Sequence, residues 1–313
     1  MLGKTAGGLY WMFRGLERAE NTARLIEAGF RIALTRSSDP TSDWQSVIVT
    51  SAQQAGYLAQ YDSYTSQNVC DFLLREPSNP SSVLSVVKAA RDNARLVRTA
   101  LTTEVWCAVN ETWMVLTELL KKPIAEEDVP QTLEAIRQQS ALVRGALHGT
   151  MLRNDIYNFC RLGTFIERAD STARIIDVKY HALLPSPSFV GSRLDNVQWE
   201  MVLRSVSGHR SFRHAVEGDY NAANIVQFLM LDARFPRSLA FCAGAIVENL
   251  DLLAKDYGGH SDSLAAAQAL HARCAGRDVS SIFEEGLHEY TTQAILDIAM
   301  IGGMIEQQYR FIQ

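Results

Sequence analysis

The sequence predicts an all-α protein, a multi-helix bundle built on two related halves, each centred on a Glu-Arg motif helix, with no sheet. Three observations carry this. Apolar residues recur at helical spacing along most of the 313-residue chain. No stretch sustains period-two alternation between hairpin turns, and the one β-like run, Val47-Ile48-Val49-Thr50, sits inside a helical pattern. Finally, the segment Leu16 to Glu27, reading LERAENTARLIE, returns 150 positions later from Ile166 to Asp177 as IERADSTARIID.

The repeated helix explains most of the organisation. On a helical wheel Leu16, Ala19, Ala23, Ile26 and Phe30 form an apolar stripe about 80° wide. Ile166, Ala169, Ala173, Ile176 and Tyr180 repeat it in the second copy. Beside the stripe run Glu17, Glu20, Arg24 and Glu27, matched by Glu167, Asp170, Arg174 and Asp177, with every charge sign kept. The small alanines permit another helix to come close, which partly desolvates the charged row. Arg18 and Arg168 fall away from that row, near Leu25 and Ile175. Residues 1–150 make the first helical half and 151–313 the second, joined in one compact unit.

The remaining elements follow from their punctuation. The first helix runs over 7–36 and stops at Ser37-Ser38-Asp39-Pro40, and Asp43 looks like the cap of a second, from Trp44 to about Asn68. Pro77-Ser78-Asn79-Pro80-Ser81-Ser82 is a loop and a new N-cap for a long helix, Val83 to Leu120, which ends at Lys121-Lys122-Pro123. The acidic Glu126-Glu127-Asp128 is linker, and a shorter helix covers Gln131 to Leu147. The second motif helix extends from Asp155 to Leu184, ending at Pro185-Ser186-Pro187-Ser188 and a loop to about Asp195. Apolar spacing places further helices near Val197–Ser207, Asn221–Leu231, Ser238–Lys255, Ser261–Ala275 and Val279–Phe311.

Composition bounds the function. Hydrophobic residues make 47% and charged residues 21%, with modest Pro and Gly, which is the balance of a folded soluble protein. A net charge of −5 gives no field that would gather nucleic-acid phosphates. Five scattered cysteines without a Cys-x-x-Cys pair read as reduced core thiols, and no apolar run reaches signal-peptide or membrane-spanning length, so the expectation is a cytoplasmic protein with no membrane or nucleic-acid partner.

The candidate chemistry is the charged rows. Facing each other, Glu17, Glu20, Glu167 and Asp170 would gather four carboxylates, but neither copy has the Glu-x-x-His pair of a dinuclear bundle site. Mg²⁺, which needs only oxygen ligands and often takes one or two carboxylates plus a phosphate, stays open to the row, although no intrinsic cofactor is expected. In the structural alternative Arg24 and Arg174 pair with these acids within or between helices and hold the two copies in register. Phe235-Pro236-Arg237-Ser238 opens a helix whose free N–H groups, with Arg234 and Arg237, suggest an anion site, or a tight turn with solvated arginines. Tyr157 and Arg161 precede Glu167 on the same helix and are candidates to flank the row. Trp106, Asn110 and Trp113 share one side of their helix and read as core or, with Glu104, as a pocket edge. None of the seven histidines forms a recognisable triad, and Gly3-Lys4-Thr5 lacks the earlier glycine and the strand of a phosphate-binding loop.

At these residues the chain resembles the alpha-E domain proteins, a bacterial all-helical family with a Glu-Arg motif. The matching residues are Glu17 to Arg24, Glu167 to Arg174, Glu104 with Trp106 and Asn110, and Phe235-Pro236-Arg237-Ser238, and the likeness covers almost the whole chain. The resemblance implies two partners, a circularly permuted ATP-grasp protein and a transglutaminase-like peptidase, and hence a system that forms or modifies peptides. The expected role is an accessory or substrate-binding protein that holds an amino acid or peptide against the Glu/Arg cluster, its carboxylate on Arg24 or Arg174 and its ammonium on Glu17 or Glu167. The alternatives are an enzyme using the cluster, with or without Mg²⁺, for acyl or phosphoryl transfer, and a purely structural scaffold.

Overall fold

A computed structural model of the chain describes residues 1–35, 40–182, 192–258 and 261–311. The turn expected at Ser37-Ser38-Asp39, the loop at Pro185-Ser186-Pro187-Ser188 and His260 lie outside the described residues, as does the Tyr180 side chain. Among the described residues every regular element is a helix. In order these are α1 (Gly3–Thr35), α2 (Pro40–Thr50), α3 (Gln54–Leu58), α4 (Ser66–Leu74), α5 (Val83–Leu96), α6 (Thr103–Leu119), α7 (Val129–Thr150) and α8 (Asp155–Ala182). They continue as α9 (Arg193–Ser205), α10 (His209–Ala215), α11 (Ala222–Leu231), α12 (Leu239–Tyr257), α13 (Asp262–Cys274), α14 (Val279–Glu285) and α15 (Leu287–Gln308). None is long and apolar enough to cross a membrane.

Three helices expected to be continuous are broken, each for a local reason. Within Val83–Leu120, Leu101 adopts an extended conformation and buries its side chain. Thr102 then restarts the helix as an N-cap, its hydroxyl accepting the Val105 N–H. Gly286, at φ +104°, separates α14 from α15, a conformation open to glycine and strained for other residues. The span Trp44–Asn68 stops at Thr50, and α4 starts afresh where the Thr65 hydroxyl accepts the Asn68 N–H. Asp43 lies in the first turn of α2, which begins earlier than expected, and α10 was not foreseen. Cys107 is exposed, so it is not one of the expected core thiols; Cys70, Cys160, Cys242 and Cys274 are buried.

The two motif helices are neighbours. The expected stripes are where they should be, with Leu16, Ala19, Ala23 and Ile26 on α1 and Ile166, Ala169, Ala173 and Ile176 on α8 all buried. α1 and α8 run in the same direction: Gly163 meets Tyr10 and Arg14, and Arg168 meets Glu17 further along. Gly163 permits this approach, since a Cβ there would overlap the Tyr10 carbonyl oxygen. α8 also packs against α12, α15, α9 and α2, which makes it the central rod, while α1 adds contacts to α5 and α7. Two apolar clusters result. The first half of α1, Ala6 to Leu16, packs with parts of α5, α6 and α7, with α8 and with the helices after it; the second half, Ala19 to Ile26, packs with α2 to α7.

Candidate functional site

At the α1–α8 crossing each Glu-Arg dipeptide grips the other. Arg18 donates from Nε and Nη2 to the two oxygens of Glu167, at 2.6 and 2.8 Å. Arg168 donates in the same way to Glu17, at 2.8 and 2.9 Å. Both are bidentate guanidinium–carboxylate pairs, the strongest geometry for such contacts. The arginines expected to point away from the charged rows are therefore the cross-links. The wheel position near Leu25 is correct for Arg18, but that side of α1 is not free surface; it faces α8, and Leu25 and Ile175 line the same cleft between the helices.

More guanidiniums converge on the same acids. Arg14 Nε reaches Glu167 at 2.9 Å. Arg237 donates to Glu17 at 3.1 Å, to Glu20 at 2.5 Å and to the Asn21 side-chain oxygen at 2.9 Å. Arg144, from α7, reaches Glu20 at 2.7 Å and Glu17 at 3.4 Å. Arg24 does not pair with Glu17. It takes Glu20 one turn earlier, and its other amino group caps the end of α9 at the Ser205 carbonyl and the Ser207 hydroxyl. Arg174 pairs with Asp170 in the same i, i+4 manner, at 2.8 Å.

These neighbours decide the ionisation. Glu17, Glu20 and Glu167 are at most 6% exposed, and burial by itself would push their carboxyls up. The guanidiniums outweigh that cost and hold all three below the usual carboxylate range. Burial pushes Arg237 down to about 10 against the pull of Glu17 and Glu20, which leaves it charged at neutral pH. Glu17, Glu20 and Glu167 are thus ionised and fully paired. Among the described residues, no group of three or more His, Cys, Asp or Glu is placed to hold a metal ion.

Other candidates lie elsewhere. Arg234 is exposed and folds back on Asp232 at 2.7 Å while Arg237 turns into the cluster, so the two cations expected at one anion site diverge. Tyr157 donates to or accepts from His148 Nδ1 at 2.8 Å and lies under Arg153, making no contact with the Glu-Arg pairs. Arg161 stacks over Phe165. Asn110 is tied to Arg91 and to the Trp106 carbonyl, so the pocket edge expected there is a packed surface. Arg14, Asn21 and Arg144 were missed. Arg14 and Asn21 share a face with Arg18, an i, i+4, i+7 row that was there to be read; Arg144 has no local signal.

Beside the clasp, the Arg18 face opens into a cleft of about 270 Å³. Its walls are Arg14, Arg18 and Asn21 of α1 and Glu167, Asp170 and Arg174 of α8. The turn after α2, Thr50 to Gln53, closes one side, with Ala52 held at φ +55°. The Asn21 Nδ2 is buried and has no hydrogen-bond partner among the described residues, although Arg237 fixes the orientation of the amide by binding its oxygen.

A family profile described as a predicted alpha-helical domain with a conserved ER motif, Alpha-E, matches residues 1–310. The chain belongs to the Alpha-E family. Its two ER dipeptides are Glu17-Arg18 and Glu167-Arg168, the four residues of the clasp. Three relatives are uncharacterized proteins, one of Mycobacterium bovis and two of Mycobacterium tuberculosis strains, 25%, 25% and 24% identical over 281 residues. Those matches cover 82% of this Alpha-E chain, which spans about 30% of the length of the relatives. No solved structure matches it.

Proposed function

We propose that this protein is a helical accessory protein without catalysis of its own, which holds a substrate for an ATP-grasp-type ligase in peptide formation or modification. The observation that carries the reading is the occupancy of the cluster. Glu17 and Glu20 each accept from three arginines and Glu167 from two. Carboxylates held this way are weak bases and poor nucleophiles, because proton or acyl transfer would break several charge-assisted bonds. The same pairing leaves Glu17 and Glu167 without room for a substrate ammonium, so the cleft beside the clasp, rather than the clasp, is the place for a ligand. The ligase would supply the acyl phosphate, and the Alpha-E protein would present the partner group. The family resemblance supports an ATP-grasp protein and a transglutaminase-like peptidase as the associated enzymes, and the longer relatives suit a domain that works beside others. Co-purification with the ATP-grasp protein encoded by the same genome tests this. A stable complex and faster ligase turnover are expected; no complex and unchanged turnover would reject it.

A further inference from the structure

Resting on the accessory reading, we infer that the cleft between α1 and α8 binds an acidic α-amino acid, free or at the end of a short peptide. The clasp leaves several polar groups of the cleft unused. Glu167 is saturated by Arg14 and Arg18, so it offers a ligand nothing. Asp170 receives Arg174 on Oδ2 only, and none of the described residues donates to its Oδ1. That oxygen is the cleft's one open carboxylate acceptor among the described residues, and an ammonium is the ligand group that suits it.

The donors outnumber it. Among the described residues, Arg18 spends Nε and Nη2 on Glu167 and keeps Nη1, and Arg174 spends only Nε. Asn21 contributes a second kind of signal. It is 7% exposed, stands in the cleft wall, and its Nδ2 has no partner among the described residues although its oxygen is fixed by Arg237. A buried amide N–H left unpaired is costly, and an acceptor on a ligand removes that cost. Three arginines face two carboxylates here, so the lining carries one positive charge in excess and fits a ligand of net charge −1. Two carboxylates and one ammonium give that charge.

The spacing suits the same ligand. In the parallel pair Arg174 stands level with residue 24, about 9 Å along the axis from Arg18 at 1.5 Å per residue. Arginines reaching inward from both levels can hold the two carboxylates of one acidic amino acid, the first on Arg18 and Asn21 and the second on Arg174, with the ammonium on Asp170. The volume, about 270 Å³, matches a single small ligand rather than an extended chain.

Isothermal titration of the full chain with L-glutamate, L-glutamine, N-acetyl-L-glutamate and glutarate tests this. Glutamate is expected to bind, and the other three at least tenfold more weakly. Arg174→Met should lower glutamate affinity to the glutamine level, and Asp170→Asn should lower it to the N-acetylglutamate level. Both side chains are partly exposed, so these variants keep the fold even where Asn21→Leu does not. No saturable binding of glutamate, or equal binding of glutarate and N-acetylglutamate, overturns the assignment. A ligase complex that forms while glutamate fails to bind rejects the ligand and spares the accessory role; bound glutamate with no complex does the reverse.

Discussion

Glu167 sits 6% exposed with its carboxylate divided between Arg14 and Arg18, and its removal leaves two guanidiniums facing each other at the cleft wall with no counter-charge between them. Losing one partner of such a buried pair costs about 3–5 kcal/mol, so Glu167→Gln should lower the urea midpoint strongly, where a catalytic carboxylate would have left it unmoved. The acids also set the response to pH. Glu17, Glu20 and Glu167 titrate below their unfolded values, so the stability they contribute is complete above about pH 4.5 and is lost as pH falls through their folded range. His148 adds a step at higher pH. Burial and the nearby Arg161 and Arg153 push it down to about 4, so between its ordinary value near 6.5 and pH 4 the unfolded chain takes up a proton that the folded chain refuses. Unfolding free energy should therefore begin to fall below about pH 6.5, and His148→Gln should remove that first part of the fall while leaving the drop below pH 4.5. At this scale the sequence was half legible. The duplicated acids and the i, i+4 partners of Arg24 and Arg174 could be read locally, whereas Arg144 and Arg237 meet Glu20 from 124 and 217 residues away, beyond any local pattern.

Among the elements, the closeness of α1 and α8 rests on Gly163 as much as on the alanines. Gly163→Ala would drive a methyl group into the Tyr10 carbonyl and separate the helices about one turn before the clasp, at a cost of about 1–3 kcal/mol. Gly145, in the interior of α7, is the control: nothing lies within 4 Å of a Cβ there. Gly145→Ala should stabilise by about 0.5–1 kcal/mol through helix propensity alone. Parallel urea titrations of the two variants, moving in opposite directions, would separate the contact from the propensity. The stripes of α1 and α8 were legible because a long amphipathic helix imposes its period on the sequence. The break at Leu101 was not, because Val97 and Leu101 continue the helical spacing and only tertiary burial decides that Thr102 starts a new helix. Nor did the wheel show that α1 has a second buried face, since a row such as Arg14, Arg18 and Asn21 looks like solvated surface until its partner is known.

Across the whole molecule, α1 is the strut on which both apolar clusters depend. Its second half closes a cluster with α2 to α7 that lies wholly within 1–150, and its first half closes the larger cluster, to which 1–150 and 151–313 both contribute. A 151–313 fragment, which loses α1 from the shared cluster, is expected to be poorly soluble when made alone and to recover native-like helicity by circular dichroism when co-expressed with 1–150. Fold class was legible from periodicity because nothing competed with it. The relation of the two motif helices, a parallel pair with reciprocal arginines, was not, because duplication says that two helices are alike without saying how they meet. That reciprocal clasp is the centre of the account, and a double-mutant cycle on Glu17 and Arg168 addresses it most directly. Unfolding free energies of Glu17→Gln, Arg168→Met and the double variant should give each single change a clear loss and a coupling of about 1–3 kcal/mol between them. Two additive changes, or single variants as stable as the parent, would contradict it.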